Sequence, residues 1–299
     1  MRQPRKHIAV LYMLLIILIT VCVSILLGKS NQPDVRATWV WDRDAASSQA
    51  DPILEFARRH EINLIYLSIR YDADPVAYEA FNRKAGALGI KVFLLDGDPG
   101  WVYPENRARL DQMLGWLQSY NAAAADNEKF SGVHFDIEPY NLTDWNTANR
   151  QVLIERWMDT VDYIANQREH LPGMEWGADF PFWLDDIKIT SENGCPTLFR
   201  WMMERFDRAT LMAYRDRTNG AGGILEIVEH EIDTAKTLGK KVIVGVETND
   251  TGQSYTTFYA KDESIMRKQL EMLTQSLRRQ PSFAGYAIHD YSAWKNMER

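Results

Sequence analysis

Ser131-Gly132-Val133-His134-Phe135-Asp136-Ile137-Glu138 alternates with a period of two, with Val133, Phe135 and Ile137 apolar and His134, Asp136 and Glu138 polar. That period belongs to a β-strand with two unlike faces, and it puts the three polar residues on one of them. Carboxylates set into an apolar strand cost on the order of several kcal/mol unless they are hydrogen-bonded or paired. Neighbouring carboxyls also drive their pKa values apart, so one can hold a proton while the other stays charged. An edge strand with a solvated acidic face would show the same alternation. Pro139 and Tyr140 follow at once, however, so the acids close the strand.

The chain begins with a different kind of segment. Arg2, Arg5, Lys6 and His7 form a basic flank, and Ile8 to Leu27 is a run of 20 uncharged residues rich in Leu, Ile and Val. At helical rise such a run spans a bilayer core of about 30 Å. The run lacks an Ala-x-Ala cleavage site, and Val21 before Cys22 is bulky for a lipoprotein signal, so the expectation is an uncleaved anchor. A basic flank stays cytoplasmic, which predicts a single-pass cell-membrane protein with its main domain extracytoplasmic. The expected division is 1–30 as flank and transmembrane anchor, 31–36 as linker, and 37–299 as one domain. Beyond residue 30 there are 30 basic and 41 acidic residues, a net of −11, which disfavours nucleic acid as a partner. Cys195 is the sole cysteine outside the first 30 residues, so the domain forms no internal disulfide, and a structural zinc site is not indicated.

From residue 37 onward, apolar β-rich runs alternate with segments of helical spacing. The expected strands are 37–41, 63–69, 91–95, 132–138, 174–180, 210–214, 241–247 and 283–289. Helices are expected from Asp51 with Pro52 at the first turn, and over 75–88, 106–120, 146–167, 197–206, 224–238 and 263–277. Only about nine residues follow the last strand, so the final helix should be missing or vestigial. Eight such repeats predict a (β/α)8 TIM barrel. A doubly wound open sheet would place a glycine-rich loop after its first strand, where this chain has Trp41-Asp42-Arg43-Asp44. In barrels, chemistry sits at the C-terminal strand ends, and here those ends carry Trp41, Trp101, Asp179, Tyr214, Glu247, His289 and Trp294. Trp rings offer stacking surfaces for sugars, whereas Trp116, Trp157 and Trp201 lie mid-helix and read as packing residues.

The fourth strand resembles the signature of the family 18 glycoside hydrolases, chitinases and their relatives, Asp-Gly-x-Asp-x-Asp-x-Glu. Gly132, Asp136 and Glu138 match it, while Ser131 and His134 stand in place of two acids. The resemblance extends to Met212-Ala213-Tyr214 on strand six, where Arg215 replaces an acid or amide, and to Lys241 and Gly245 on strand seven. It implies Glu138 as proton donor, with Asp136 orienting and Tyr214 hydrogen-bonding the substrate's own N-acetyl group, which attacks the anomeric carbon. The implied substrate is an N-acetylated amino-sugar polysaccharide, and no cofactor is required. Substrate contacts are expected from Trp41, Trp101, Asp179, Glu247, His134 and a floor residue, Trp294. Three other readings stay open: a degenerate barrel that binds glycan without cleaving it, a retaining pair of Glu138 and Glu247, and a metal site built from His134, Asp136, Glu138 and His289.

Overall fold

The computed structural model describes residues 35–190 and 196–297. The expected anchor at 1–30, most of the linker and Cys195 lie outside the described residues. Among the described residues, no helix is long and apolar enough to cross a membrane.

Eight parallel strands close into a barrel in chain order: β1 (Val35–Val40), β2 (Leu64–Ser68), β3 (Lys91–Asp96), β4 (Gly132–Phe135), β5 (Glu175–Pro181), β6 (Arg208–Met212), β7 (Lys241–Glu247) and β8 (Phe283–His289). The principal helices are α1 (Ala50–Arg59), α2 (Pro75–Ala87), α3 (Arg107–Ala123), α4 (Arg150–Asn166), α5 (Leu198–Met203), α6 (Glu229–Leu238), α7 (Glu263–Leu277) and α8 (Tyr291–Trp294). The expected TIM barrel is therefore present, with a final helix of four residues.

Differences from the expected boundaries have local causes. Val35 and Arg36 pair with Gly285 and Tyr286, so the barrel takes in the last two residues of the expected linker. A helical turn, Ala45–Ser48, feeds directly into α1, which places Asp51 inside the first turn rather than at its cap. Residues 143–146 form a separate 3-10 turn, and α4 begins only at Arg150. The segment 224–238 is interrupted at Val228. Gly89 (φ 75°) and Gly239 (φ 65°), each between a helix and the next strand, take the left-handed conformation that L side chains resist.

Two apolar layers hold the barrel. Its lumen is filled by Ala37, Trp39, Leu64, Tyr66, Phe93, Leu95, Ile243 and Ala287. Outward residues of the same strands, with the helices, form the larger layer, including Val133, Phe135 and Ile137 from the opening stretch. The period-two reading of that stretch rests on these three side chains. Each large apolar side chain so buried contributes roughly 1.5–3 kcal/mol before entropy is counted. Across the lumen, Tyr66 Oη lies 2.9 Å from Thr210 Oγ1.

One ionisable group of the helical layer lies apart from the mouth. Glu231 on α6 is 1% exposed. Burial first, and then the neighbouring Asp185 charge, pushes its carboxyl from 4.5 up to about 9. A raised carboxyl stabilises the fold fully below the unfolded-state value, and that contribution is lost as pH climbs through the folded-state value. Wild-type urea midpoints should thus fall across pH 4.5 to about 9, and Glu231→Gln should flatten that fall. An equal slope in the variant would contradict the assignment.

Candidate active site at the end of strand four

The ladder continues past β4 for one residue, as Asp136 N donates to Asp96 O over 3.1 Å. This close approach depends on Gly97, since a Cβ there would lie 1.8 Å from the Asp136 carbonyl oxygen. Pro139 then starts a 3-10 turn, Pro139–Asn141, that carries the next two side chains back over the strand end. Tyr140 Oη donates to Glu138 Oε1, and Asn141 Nδ2 donates to Oε2 over 2.8 Å. Tyr140 is in turn packed against Trp183, Trp145 and Trp157 at 5.1–6.3 Å between ring centroids.

The electrostatics follow from this placement. Burial raises the Glu138 carboxyl, the Tyr140 hydrogen bond opposes it, and the Asp179 charge raises it again, leaving it above its ordinary value. Asp136 is raised further, by burial first and then by Asp179 and Glu138. Asp136 Oδ1 is buried with no hydrogen-bond partner among the described residues. The pair can therefore hold a proton at a pH where exposed carboxyls are ionised.

Asp179, one residue beyond the Phe135–Ala178 pair on β5, comes level with Asp136 and is 3% exposed. It accepts a hydrogen bond from Trp39 Nε1 at 2.9 Å and lies 2.9 Å from His134 Nε2. The His134 ring stacks on Tyr66 at 3.8 Å and is fully buried. Facing them, Tyr214 is held well above its ordinary value by burial and then by the charges of Glu247, Asp179, Asp136 and Glu138. Tyr214 therefore remains a hydroxyl donor.

Glu247 is held on both oxygens. Oε1 accepts from Thr248 N, Asn249 N and Asn249 Nδ2 at 2.7–2.9 Å, and Oε2 lies 2.9 Å from His289 Nδ1. Burial would raise this carboxyl, but the His289 bond and charge together with Asn249 lower it overall. Trp41 Nε1 donates to His289 Nε2 over 2.9 Å, which assigns the proton on neutral His289 to Nδ1. Burial would lower His289, but the hydrogen bond to Glu247 and its charge raise it overall.

The structure brings Glu138, Asp136, Asp179, Tyr214, Glu247 and Trp41 to one mouth. Three expected contacts are corrected. His134 lies beneath the mouth and meets Asp179 rather than Asp136, so it packs instead of touching substrate. Trp101 is 4% exposed and belongs to the layer against α4, where Thr160 Oγ1 bonds its carbonyl. Trp294 is 3% exposed, donates to Glu263 and packs edge-on against Phe56 at 4.9 Å on the helical side. The half-buried Trp183 supplies aromatic surface at the mouth instead. Sequence reasoning also passed over Tyr140 and Asn141, although their position directly after Glu138-Pro139 was a usable signal. In the retaining-pair reading, Glu247 would be a nucleophile whose lone pairs are already engaged by four donors. For the metal reading, His134 lies 2.9 Å from Asp179 and His289 2.9 Å from Glu247, and no three His, Cys, Asp or Glu side chains are placed together to hold an ion among the described residues.

A GH18 chitinase from Pseudoalteromonas aurantia superposes with a TM-score of 0.57 at 14% identity, covering 88% of this chain and 96% of that one. The chain has the fold of a family 18 chitinase. A chitinase from Bacteroides thetaiotaomicron gives 0.53 at 10% identity over 87% and 90% of the two chains. The Bacillus cereus spore cortex-lytic enzyme SleL gives 0.52 at 8% identity, over 88% of this chain and 72% of that one. No protein-family model and no curated protein sequence matches the chain. At such identities the chitinase-type fold is shared while the residues lining it are mostly this chain's own.

His134→Ala removes a ring packed between Tyr66 and Asp179. The variant should lose about 2–5 kcal/mol of unfolding free energy in urea titration, the usual cost of emptying a buried site. An unchanged urea midpoint with lost glycan binding would instead put His134 in contact with substrate.

Proposed function

We propose that this protein is a glycoside hydrolase that cleaves an N-acetylated amino-sugar polysaccharide by acid catalysis from Glu138. The observation that carries this reading is the Glu138 carboxyl at the barrel mouth, oriented by Tyr140 and Asn141 and raised by burial. Support also comes from the chitinase-type fold and from the likeness to a Cycas revoluta GH18 chitinase whose structure is a complex with (GlcNAc)3 (10% identity, TM-score 0.52).

Glu138 gives its proton to the glycosidic oxygen as the bond to the anomeric carbon breaks. The carbonyl oxygen of the substrate's N-acetyl group forms the new bond to that carbon. Asp136 Oδ1 receives the amide N–H, and Tyr214 donates its hydroxyl to the acetyl carbonyl. Water then attacks the anomeric carbon, breaking its bond to the acetyl oxygen and restoring the N-acetyl group, and gives a proton to the Glu138 carboxylate. In this scheme Asp179 supplies, from β5, the second carboxylate that the family signature would carry at position 134. Its charge is among the causes that raise Asp136.

Glu138→Gln should lower kcat on N-acetylglucosamine oligosaccharides by about 10²–10⁴-fold while calorimetric binding is retained. Turnover at the wild-type rate would refute the assignment. Binding without product by the wild type would instead make the protein a glycan-binding barrel.

We also propose that residues 1–30 anchor the barrel outside the membrane, on the strength of the basic flank and the 20 uncharged residues. After alkaline carbonate extraction, full-length protein should stay with the membrane pellet, and a protease added outside intact cells should reach the barrel. Release into the supernatant would remove the anchor from the account.

A further inference from the structure

Arg215 follows Tyr214 directly at the end of β6. Its guanidinium carbon lies 4.9 Å from the ring centre of Phe182 and 5.7 Å from that of Tyr255. Nε donates to Gly222 O over 3.2 Å and Nη1 to Tyr214 O over 2.7 Å. A guanidinium has five N–H donors, so these two carbonyls leave most of its capacity open. Two residues on, exposed Arg217 donates to Ala221 O over 2.6 Å. Neither guanidinium meets a carboxylate among the described residues. The acids of this loop are engaged elsewhere: Asp216 binds Lys261 Nζ over 2.7 Å, and Glu226 accepts from Gly222 N over 2.5 Å.

The position is well suited to act on substrate. Phe182 adjoins Trp183, which packs on Tyr140, which donates to Glu138. The same rim thus runs from the proton donor to an uncompensated cation. The chain carries a net charge of −7, and its mouth holds Asp136, Glu138, Asp179 and Glu247. An acidic ligand would be repelled there without a local positive group. Arg flanked by aromatic faces is pre-ordered, and its fork matches a carboxylate better than a hydroxyl.

We propose that Arg215 forms a subsite for a carboxylate on the sugar next to the one held over Tyr214, so that the preferred substrate is an acidic amino-sugar glycan. The inference rests on the proposed glycosidase reading. Arg217 adds longer-range attraction.

The test uses full-length protein and three oligosaccharides of equal length. One is built of N-acetylglucosamine alone, one carries a 3-O-lactyl carboxylate on alternate residues, and one carries a uronic acid at those positions. Wild type should favour at least one acidic substrate by about tenfold or more in kcat/KM. That preference should shrink with added salt. In Arg215→Gln the acidic-to-neutral ratio should fall at least about tenfold, and Arg215→Lys should restore part of it. A preference for one acidic arm alone supports the subsite and identifies the carrier of its carboxylate. Equal wild-type rates on all three substrates would overturn the proposal, and so would a parallel loss on acidic and neutral substrates in the glutamine variant. If no oligosaccharide is cleaved, the hydrolase reading falls. The ratio of calorimetric dissociation constants then decides the subsite, with equal binding of acidic and neutral oligomers, or binding of none, counting against it.

Discussion

A carboxylate buried in a barrel lumen must be compensated, and Asp179 is that constraint here. It is 3% exposed and is met by Trp39 Nε1 and His134 Nε2, each at 2.9 Å. Through these contacts it ties β1, β4 and β5 together. Tyr66 stacks on the same histidine and reaches Thr210 on β6, extending the polar layer across the lumen. Trp39 Nε1 supplies the one hydrogen bond to Asp179 among the described residues, so removing it would leave a buried carboxylate without a donor, which costs more than the bond gains in isolation. The Asp179 charge is also among the causes that raise Asp136 and Glu138.

The two sides of the mouth have opposite electrostatic characters. On the β4 side, burial and like charge raise the carboxyls and favour proton retention. On the β7–β8 side, burial is outweighed by His289 and Asn249, which hold Glu247 below its ordinary value and therefore charged. Such separation of neighbouring acids by environment gives one fold both a proton donor and a fixed negative charge. The β6 rim adds positive charge at Arg215 and Arg217, held to backbone carbonyls. Glycan recognition and proton transfer would then draw on different segments of one ring of loops.

Much of this was legible in the sequence. The alternation at Val133, Phe135 and Ile137 fixed the facing of β4, because an apolar side chain on every second residue has one buried solution in a barrel. The eight strands were likewise set by their apolar runs. Less legible were the aromatic residues at strand ends. Trp101 and Trp294 share the composition of a binding surface, but short helical turns rotate them into the helical layer, and sequence spacing does not encode that rotation. His134 was read as a neighbour of Asp136 because both lie on one face of a strand. Its partner comes instead from β5, through a cross-strand contact that only register reveals. Arg215 was noticed as a departure from the family pattern, and its lack of a carboxylate partner among the described residues became visible only with the loop placed around it.

The central claim is that burial at the end of β4 keeps a proton on the Asp136–Glu138 pair. Isotope-edited NMR titration of the side-chain carboxyls measures this directly in the free protein. At least one of the two should titrate clearly above the range of about 4 typical of exposed carboxyls, with the pair showing coupled steps. Ordinary, independent titration of both near 4 would contradict the account.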